Sequence, residues 1–227
     1  MKILLIADQE EKILWDDWTE ASAEKLSDID LILSAGDLHP LYLEFLVTML
    51  NVPLVYVRGN HDGYYAEKPP EGCDDADGNI VELTVGRGAS KQKVRILGFG
   101  GSMRYSDDTE DMYTEEEMRA RIRKTERALA KRRLKDVVLY GLSDDGKGIA
   151  RPPFDILLTH APCRGFGDMD DLPHRGFECF NDLLNKYSPR LHCYGHVHQQ
   201  YGALKRQLEH PSGTLLINGG GHCILEI

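Results

Sequence analysis

Five short apolar runs, each closing on a polar cluster, constrain this chain more than any other feature of its sequence. KILLIA (2–7) runs into Asp8 and DLILSA (30–35) into Gly36-Asp37. PLVYV (53–57) runs into Arg58-Gly59-Asn60-His61-Asp62, FDILLT (154–159) into His160, and LHCYG (191–195) into His196. Continuous runs of this kind read as strands covered on both faces, the pattern of an α/β fold. In open α/β sheets ligands bind beyond the carboxyl ends of the strands. Nearly every metal-capable side chain of this sequence sits at such an end.

Helix candidates lie between the strands. Residues 15–26 and 41–50 have partial helical periodicity, and 176–187 sets Phe177, Phe180 and Leu184 at helical spacing. The clearest helix starts at Thr114, where Thr114 and Glu117 fit a capping box, and runs to about residue 134. Residues 80–85 and 94–97 read as a hairpin, and 205–208, 215–218 and 223–227 as closing strands. Residues 73–79 and 143–153, rich in Asp, Gly and Pro, read as loops. With no internal repeat and no composition break, residues 1–227 read as a single domain.

The chain is 41% hydrophobic, enough for a sizeable core, and its net charge of −10 excludes a general nucleic-acid or membrane binder, which needs a basic face. The five cysteines include no CxxC pair, so a reducing cytoplasm is the expected setting. The apolar run after Lys2 is too short for a signal peptide, and none reaches the length of a membrane span.

The polar clusters hold carboxylates, one carboxamide and several imidazoles. Oxygen and nitrogen donors without thiolate suit Mn²⁺, Fe or Zn²⁺. They are too many for one four-coordinate ion, and a pair of ions sharing a carboxylate uses the set better. Asp8 and Glu10 sit two apart, and in an extended segment such positions point to one side. They therefore read as facing one partner.

Asp8, GD at 36–37, GNHD at 59–62, TH at 159–160 and GHVH at 195–198 together resemble the five blocks of the calcineurin-like metallophosphoesterases, in order and across nearly the whole chain. THAPCRG and PRLHCYGHVHQQYG look most like the small class III phosphodiesterase branch. The resemblance implies a four-layer α/β/β/α sandwich of two mixed sheets flanked by helices. It implies that Asp8, Asp37 and His198 hold a first ion, with Glu10 as fourth ligand where the family usually has histidine. Asp37 would bridge, and Asn60, His160 and His196 would complete the second site. His61 would protonate the leaving oxygen, oriented by Asp62. Two ions roughly 4 Å apart can bind a phosphate, generate hydroxide and stabilise in-line displacement.

The expected cofactors are two divalent ions, Mn²⁺ first and Fe, Zn²⁺, Mg²⁺ or Ni²⁺ after it. Glu10, a hard oxygen donor, shifts preference toward Mn²⁺ or Mg²⁺. The expected partner is a small phosphorylated substrate such as a nucleotide or cyclic nucleotide, with diesters favoured because a low-charge ester suits an acidic site. A different class of reading, a non-catalytic metal-binding scaffold with an impaired first site, has Glu10 as its one support.

Arg104, Arg164 and His174 are candidate substrate-binding residues, since an arginine fork donates two parallel hydrogen bonds to phosphate. His39 and His192 read as structural, the latter in the core, and His210, before Pro211, as exposed. The basic run 119–135 contains enough glutamate to read as a solvated helix. GLSDDGKG at 141–148 fails as a P-loop because Gly148 replaces the required Ser or Thr. DADGN at 75–79 fails as a calcium loop because Cys73 and Thr84 fall where carboxylates are needed.

Overall fold

The protein is described by a computed structural model covering residues 1–107, 110–140, 153–198 and 205–227. Strands β1 (Lys2–Ala7), β2 (Leu31–Ser34), β3 (Leu54–Tyr56) and β4 (Asp74–Asp75) lie side by side and parallel. β5 (Ile80–Val85) and β6 (Gln92–Phe99) form the expected antiparallel hairpin. β7 (Ser102–Met103) and β8 (Met112–Tyr113) make a short parallel pair. From β6 a second sheet continues through β9 (Ile156–Thr159), β10 (Leu191–Tyr194) and β12 (Leu215–Asn218), all parallel, with β11 (Gln207–Glu209) antiparallel at its far edge. β13 (Gly221–Glu226) returns to the first sheet, antiparallel to β1.

The alternation of side chains along each strand builds the layers. Ile3, Leu5 and Ala7 of β1 join Leu31 and Leu33 of β2 and Val55 of β3 on one face. There they pack against Ile96, Ile156, Leu158, Leu191, Cys193 and Ile217 of the second sheet. The intervening Leu4, Ile6, Ile32, Leu54 and Tyr56 face outward, under helix α2 (Pro40–Leu50) and the residues Leu14, Leu26 and Ile29 that flank helix α1 (Glu20–Lys25). Leu97, Phe99, Leu157 and Leu216 do the same on the second sheet, beneath α3 (Glu115–Tyr140) and α4 (Glu178–Tyr187). The result is the α/β/β/α sandwich of two mixed sheets, and the strands are apolar throughout because both faces are covered.

The capping box forms as expected: the Glu117 N–H donates to Thr114 Oγ1 at 3.2 Å and the Thr114 N–H to Glu117 Oε2 at 2.7 Å. Four expectations need correction. α1 is short, with a 3₁₀ turn at Lys12–Leu14 before it. The apolar spacing at 15–18 instead reflects Trp15 and Trp18 set edge-on against Phe45 of α2. Residues 73–79 contain β4, a strand of two aspartates. α3 runs to Tyr140 rather than 134. His210 is buried, not exposed: its Nδ1 lies 2.8 Å from Ser212 Oγ and its ring 4.9 Å from that of Phe166. His192 is a core histidine as expected. The loop reading at 143–152 and the GLSDDGKG stretch lie outside the described residues. Among the described residues no helix is long and apolar enough to cross a membrane.

Candidate metal centre

The carboxyl ends of β1, β2 and β3 in one sheet meet those of β9 and β10 in the other. Three candidate ligands lie just beyond these ends, and all have left-handed backbones: Asp8 with φ 63°, Asp37 with φ 57° and His196 with φ 68°. Such a conformation costs on the order of 1–3 kcal/mol per non-glycine residue. It turns the chain sharply after the strand, and the surrounding packing must hold it there. The glycines of the motifs permit this packing. Gly36 has φ 96°, and a Cβ on it would lie 2.7 Å from Gly59 Cα. A Cβ on Gly59 would overlap the Asp37 carboxylate, and one on Gly195 would lie 2.6 Å from Ala7 Cβ.

The histidine tautomers follow from their backbone partners. His160 Nδ1 lies 2.7 Å from the Ala35 carbonyl oxygen, and His196 Nε2 lies 2.7 Å from that of Pro173. A carbonyl only accepts, so each ring gives its proton to the backbone. In the neutral rings His160 Nε2 and His196 Nδ1 are then bare lone pairs, yet they are 3.1 Å apart. Asn60 donates its Nδ2 to Tyr105 Oη at 3.3 Å and turns Oδ1 inward, 3.0 Å from His160 Nε2. Asp37 Oδ2 stands 3.4 Å from the same nitrogen. With both rings neutral, four acceptors converge with no donor among them. Ligand atoms about 2.1 Å from a common ion stand about 3.0–3.4 Å from one another, so the set fits a divalent cation. Among the described residues, Asp37, His160 and His196 are the His, Cys, Asp or Glu side chains whose donor atoms cluster this way.

Electrostatics divide the two rings. Burial, helped by the nearby His160, lowers the His196 pKa to about 3, so this ring is neutral. Burial opposes the charging of His160, but the carboxylates of Asp37 and Asp8 outweigh it and raise its pKa. A proton on His160 Nε2 would stand where the cation belongs. Burial pushes the Asp62 carboxyl up to about 6, against the pull of the Gly59 amide. Asp62 Oδ2 accepts the N–H groups of Asp37 and Gly59, each at 2.7 Å. Asp62 thus ties the loop after β2 to the loop after β3.

A cleft beside the centre is lined by Asp8, Glu10, Asp37, His61 and His198. Asp8 meets the His196 N–H with Oδ1 at 2.9 Å and Oδ2 at 3.0 Å, and Glu10 Oε1 accepts the His39 N–H at 2.9 Å. His61 is exposed, its N–H donating to Asp37 Oδ1 at 2.9 Å, and it also lines an adjoining cleft with Asn60, Tyr64, Glu67 and Glu110. His174 is close by, its ring 5.6 Å from that of His196 and its Nδ1 2.6 Å from Asp171. Arg104 pairs with Glu117 at 2.9 Å, and Arg164 pairs with Asp168 at 2.7 Å and Asp170 at 3.0 Å. Their guanidinium groups are thus engaged by carboxylates. Tyr105 was not singled out by sequence reasoning. Its one signal is its place next to Arg104 after the Gly100-Gly101 turn.

Comparison with known proteins agrees with this geometry. The family model for calcineurin-like phosphoesterases matches residues 1–200. A UPF0046 protein of Caenorhabditis elegans is 40% identical over 50 residues, 21% of this chain and 13% of its own length. Human metallophosphoesterase domain-containing protein 1 is 38% identical over 55 residues, 22% of this chain and 16% of its own length. These matches therefore span less than a fifth of the relatives' own length. The crystal structure of TT1561 of Thermus thermophilus has a TM-score of 0.55 at 15% identity, covering 97% of this chain and 89% of that one, a likeness of fold. The chain belongs to the calcineurin-like phosphoesterase family.

Proposed function

We propose that the chain hydrolyses phosphate esters, diesters ahead of monoesters, as a member of the class III-like branch that its THAPCRG and GHVH stretches resemble. The observation that carries this reading is the convergence of lone pairs from His160, His196, Asn60 and Asp37 next to an open cleft. Asp37, Asn60, His160 and His196 would hold one divalent cation, and Asp8, Asp37 and His198 a second, with Mn²⁺ favoured by the oxygen-rich donor set. The cations would supply the positive charge that holds a phosphate and activates water.

The chain's own residues do the rest. Asn60 contributes a neutral oxygen and adds no charge against the phosphate. His61, anchored through its N–H on Asp37 and open to both clefts, is placed to protonate the leaving oxygen. His174, nearest the centre of the three substrate-binding candidates, is favoured over Arg104 and Arg164. Carboxylates of Asp8, Glu10, Glu67 and Glu110 in the cleft walls favour a monoanionic diester over a dianionic monoester. A small nucleotide diester, cyclic nucleotides included, satisfies that demand. Five free cysteines support a reducing, cytoplasmic setting for what we read as a single domain.

The test is hydrolysis of bis(p-nitrophenyl) phosphate and p-nitrophenyl phosphate by metal-stripped protein before and after Mn²⁺ is returned. Turnover should return with Mn²⁺ and favour the diester, and His61→Ala should lose about 10²–10⁴-fold. Equal turnover by His61→Ala would remove its role as acid. The scaffold reading is favoured by one observation, the engagement of Glu10 by the His39 amide, and it predicts Mn²⁺ binding with no turnover of either ester.

A further inference from the structure

The extended geometry that would set Asp8 and Glu10 side by side ends at Asp8. The Gln9 N–H donates to the Ala7 carbonyl at 2.7 Å, closing a three-residue turn around Asp8 and its φ of 63°. Past that turn the alternation of an extended strand no longer sets where a side chain points, although Glu10 still lines the same cleft as Asp8, Asp37 and His198. Glu10 is carried instead to the next loop, where its Oε1 accepts the His39 N–H at 2.9 Å.

His39 is the N-cap of α2. Its Nδ1 accepts the Leu41 N–H at 3.2 Å, and Pro40 has no N–H to satisfy. The His39 amide is the donor that this cap leaves open, and Glu10 takes it. A carboxylate is favoured there, at the positive end of the helix. Because α2 begins just after Asp37, the same bond ties the loop carrying Asp37 to the loop carrying Asp8. Neither Glu10 nor Asp8 joins the donor cluster of Asp37, His160 and His196.

We infer that Glu10 is a positioning residue that latches α2 to the β1 loop and is not a metal ligand. The half-site of Asp8, Asp37 and His198 is therefore one donor short. It binds its cation more weakly than the half-site of Asp37, Asn60, His160 and His196. This inference rests on the two-cation reading above. Its consequence is a one-cation form populated over a range of Mn²⁺ concentration, so that turnover follows metal supply.

The test pairs Mn²⁺ titration calorimetry with amide hydrogen exchange at His39, on wild type, Glu10→Gln and Glu10→Ala. Wild type should bind Mn²⁺ in two steps differing by at least about tenfold in affinity. Glu10→Gln keeps an acceptor oxygen, so both steps should stay within about threefold of wild type, with His39 still protected. Glu10→Ala should raise exchange at His39 by at least about tenfold. Two equal steps in wild type, loss of the weaker step in Glu10→Gln, or exchange at His39 indifferent to Glu10→Ala would each overturn the inference. An absence of any Mn²⁺ binding by wild type would overturn the reading beneath it. If Glu10→Ala does not fold, Glu10→Gln alone decides whether the carboxylate is a ligand.

Discussion

His160 Nε2 and His196 Nδ1 face each other across 3.1 Å, and each ring has given its proton to a backbone carbonyl on its far side. Two lone pairs at that distance repel unless a positive charge lies between them. The fold supplies the opposing elements, His160 after β9 and His196 after β10, and strained left-handed turns hold the facing ligands in place. A site pre-shaped in this way spends little ordering free energy when a cation arrives.

Cation binding should therefore stabilise the protein. At about 100 times Kd, a ligand bound only by the native state contributes about 2.7 kcal/mol. For a domain of this length that is a rise of about 5–10 °C in Tm. Differential scanning fluorimetry with Mn²⁺ should show it in wild type and show little or none in His160→Ala.

The same rise should depend on pH. Asp37 and Asp8 raise the His160 pKa against the opposing effect of burial. A histidine raised in the folded state stabilises the cation-free protein below its unfolded pKa of about 6.5, and that contribution is lost as pH climbs through the folded value. The proton and Mn²⁺ compete for one nitrogen. The Tm gain from Mn²⁺ should thus be larger at pH 8 than at pH 6, and His160→Ala should abolish the difference.

His192 gives the opposite sign. Burial lowers its pKa to about 3, and its Nε2 lies 2.8 Å from Thr159 Oγ1, whose own proton goes to the Ala161 carbonyl at 2.6 Å. Below the unfolded pKa of about 6.5 the unfolded chain takes a proton that this ring refuses. Stability should then fall by about 1.4 kcal/mol for each pH unit of acidification. Urea denaturation of cation-free wild type and His192→Gln between pH 6.5 and pH 5 should show a slope shallower by about 1 kcal/mol per pH unit in the variant, since the unfolded imidazole is only half protonated at pH 6.5.

Gly59→Ala should disable the centre without replacing any of the proposed ligands. Its Cβ would overlap the Asp37 carboxylate, so either the β2 loop or the β3 loop must move. Calorimetry should show Mn²⁺ affinity lowered by at least about tenfold, while circular dichroism retains the secondary structure of wild type.

Much of this was legible in the sequence, for physical reasons. KILLIA and FDILLT are apolar on both faces because a sheet and a helix layer cover each strand, and buried strands of this kind end where ligands gather. Asp8, Asp37, Asn60, His160 and His196 could be singled out as candidate ligands because they follow those ends. The edge strand of Asp74 and Asp75 was not legible, since it is held by backbone pairing to β3 and has no apolar signal. The turn that follows Asp8 was not legible either, because residue spacing assumes an extended backbone, whereas Asp8 adopts a left-handed one. The amides of Asp37 and Gly59 that donate to Asp62 Oδ2 are brought near by the fold and were not legible. His210 precedes a proline and looks solvent-facing, but Phe166, far away in sequence, covers it.

The decisive measurement is anomalous diffraction from crystals equilibrated with Mn²⁺. A manganese peak is expected within coordination distance of His160 Nε2, His196 Nδ1, Asn60 Oδ1 and the Asp37 carboxylate. Full Mn²⁺ in solution with no peak between those four atoms, or with a peak only elsewhere on the chain, would contradict the assignment of this centre.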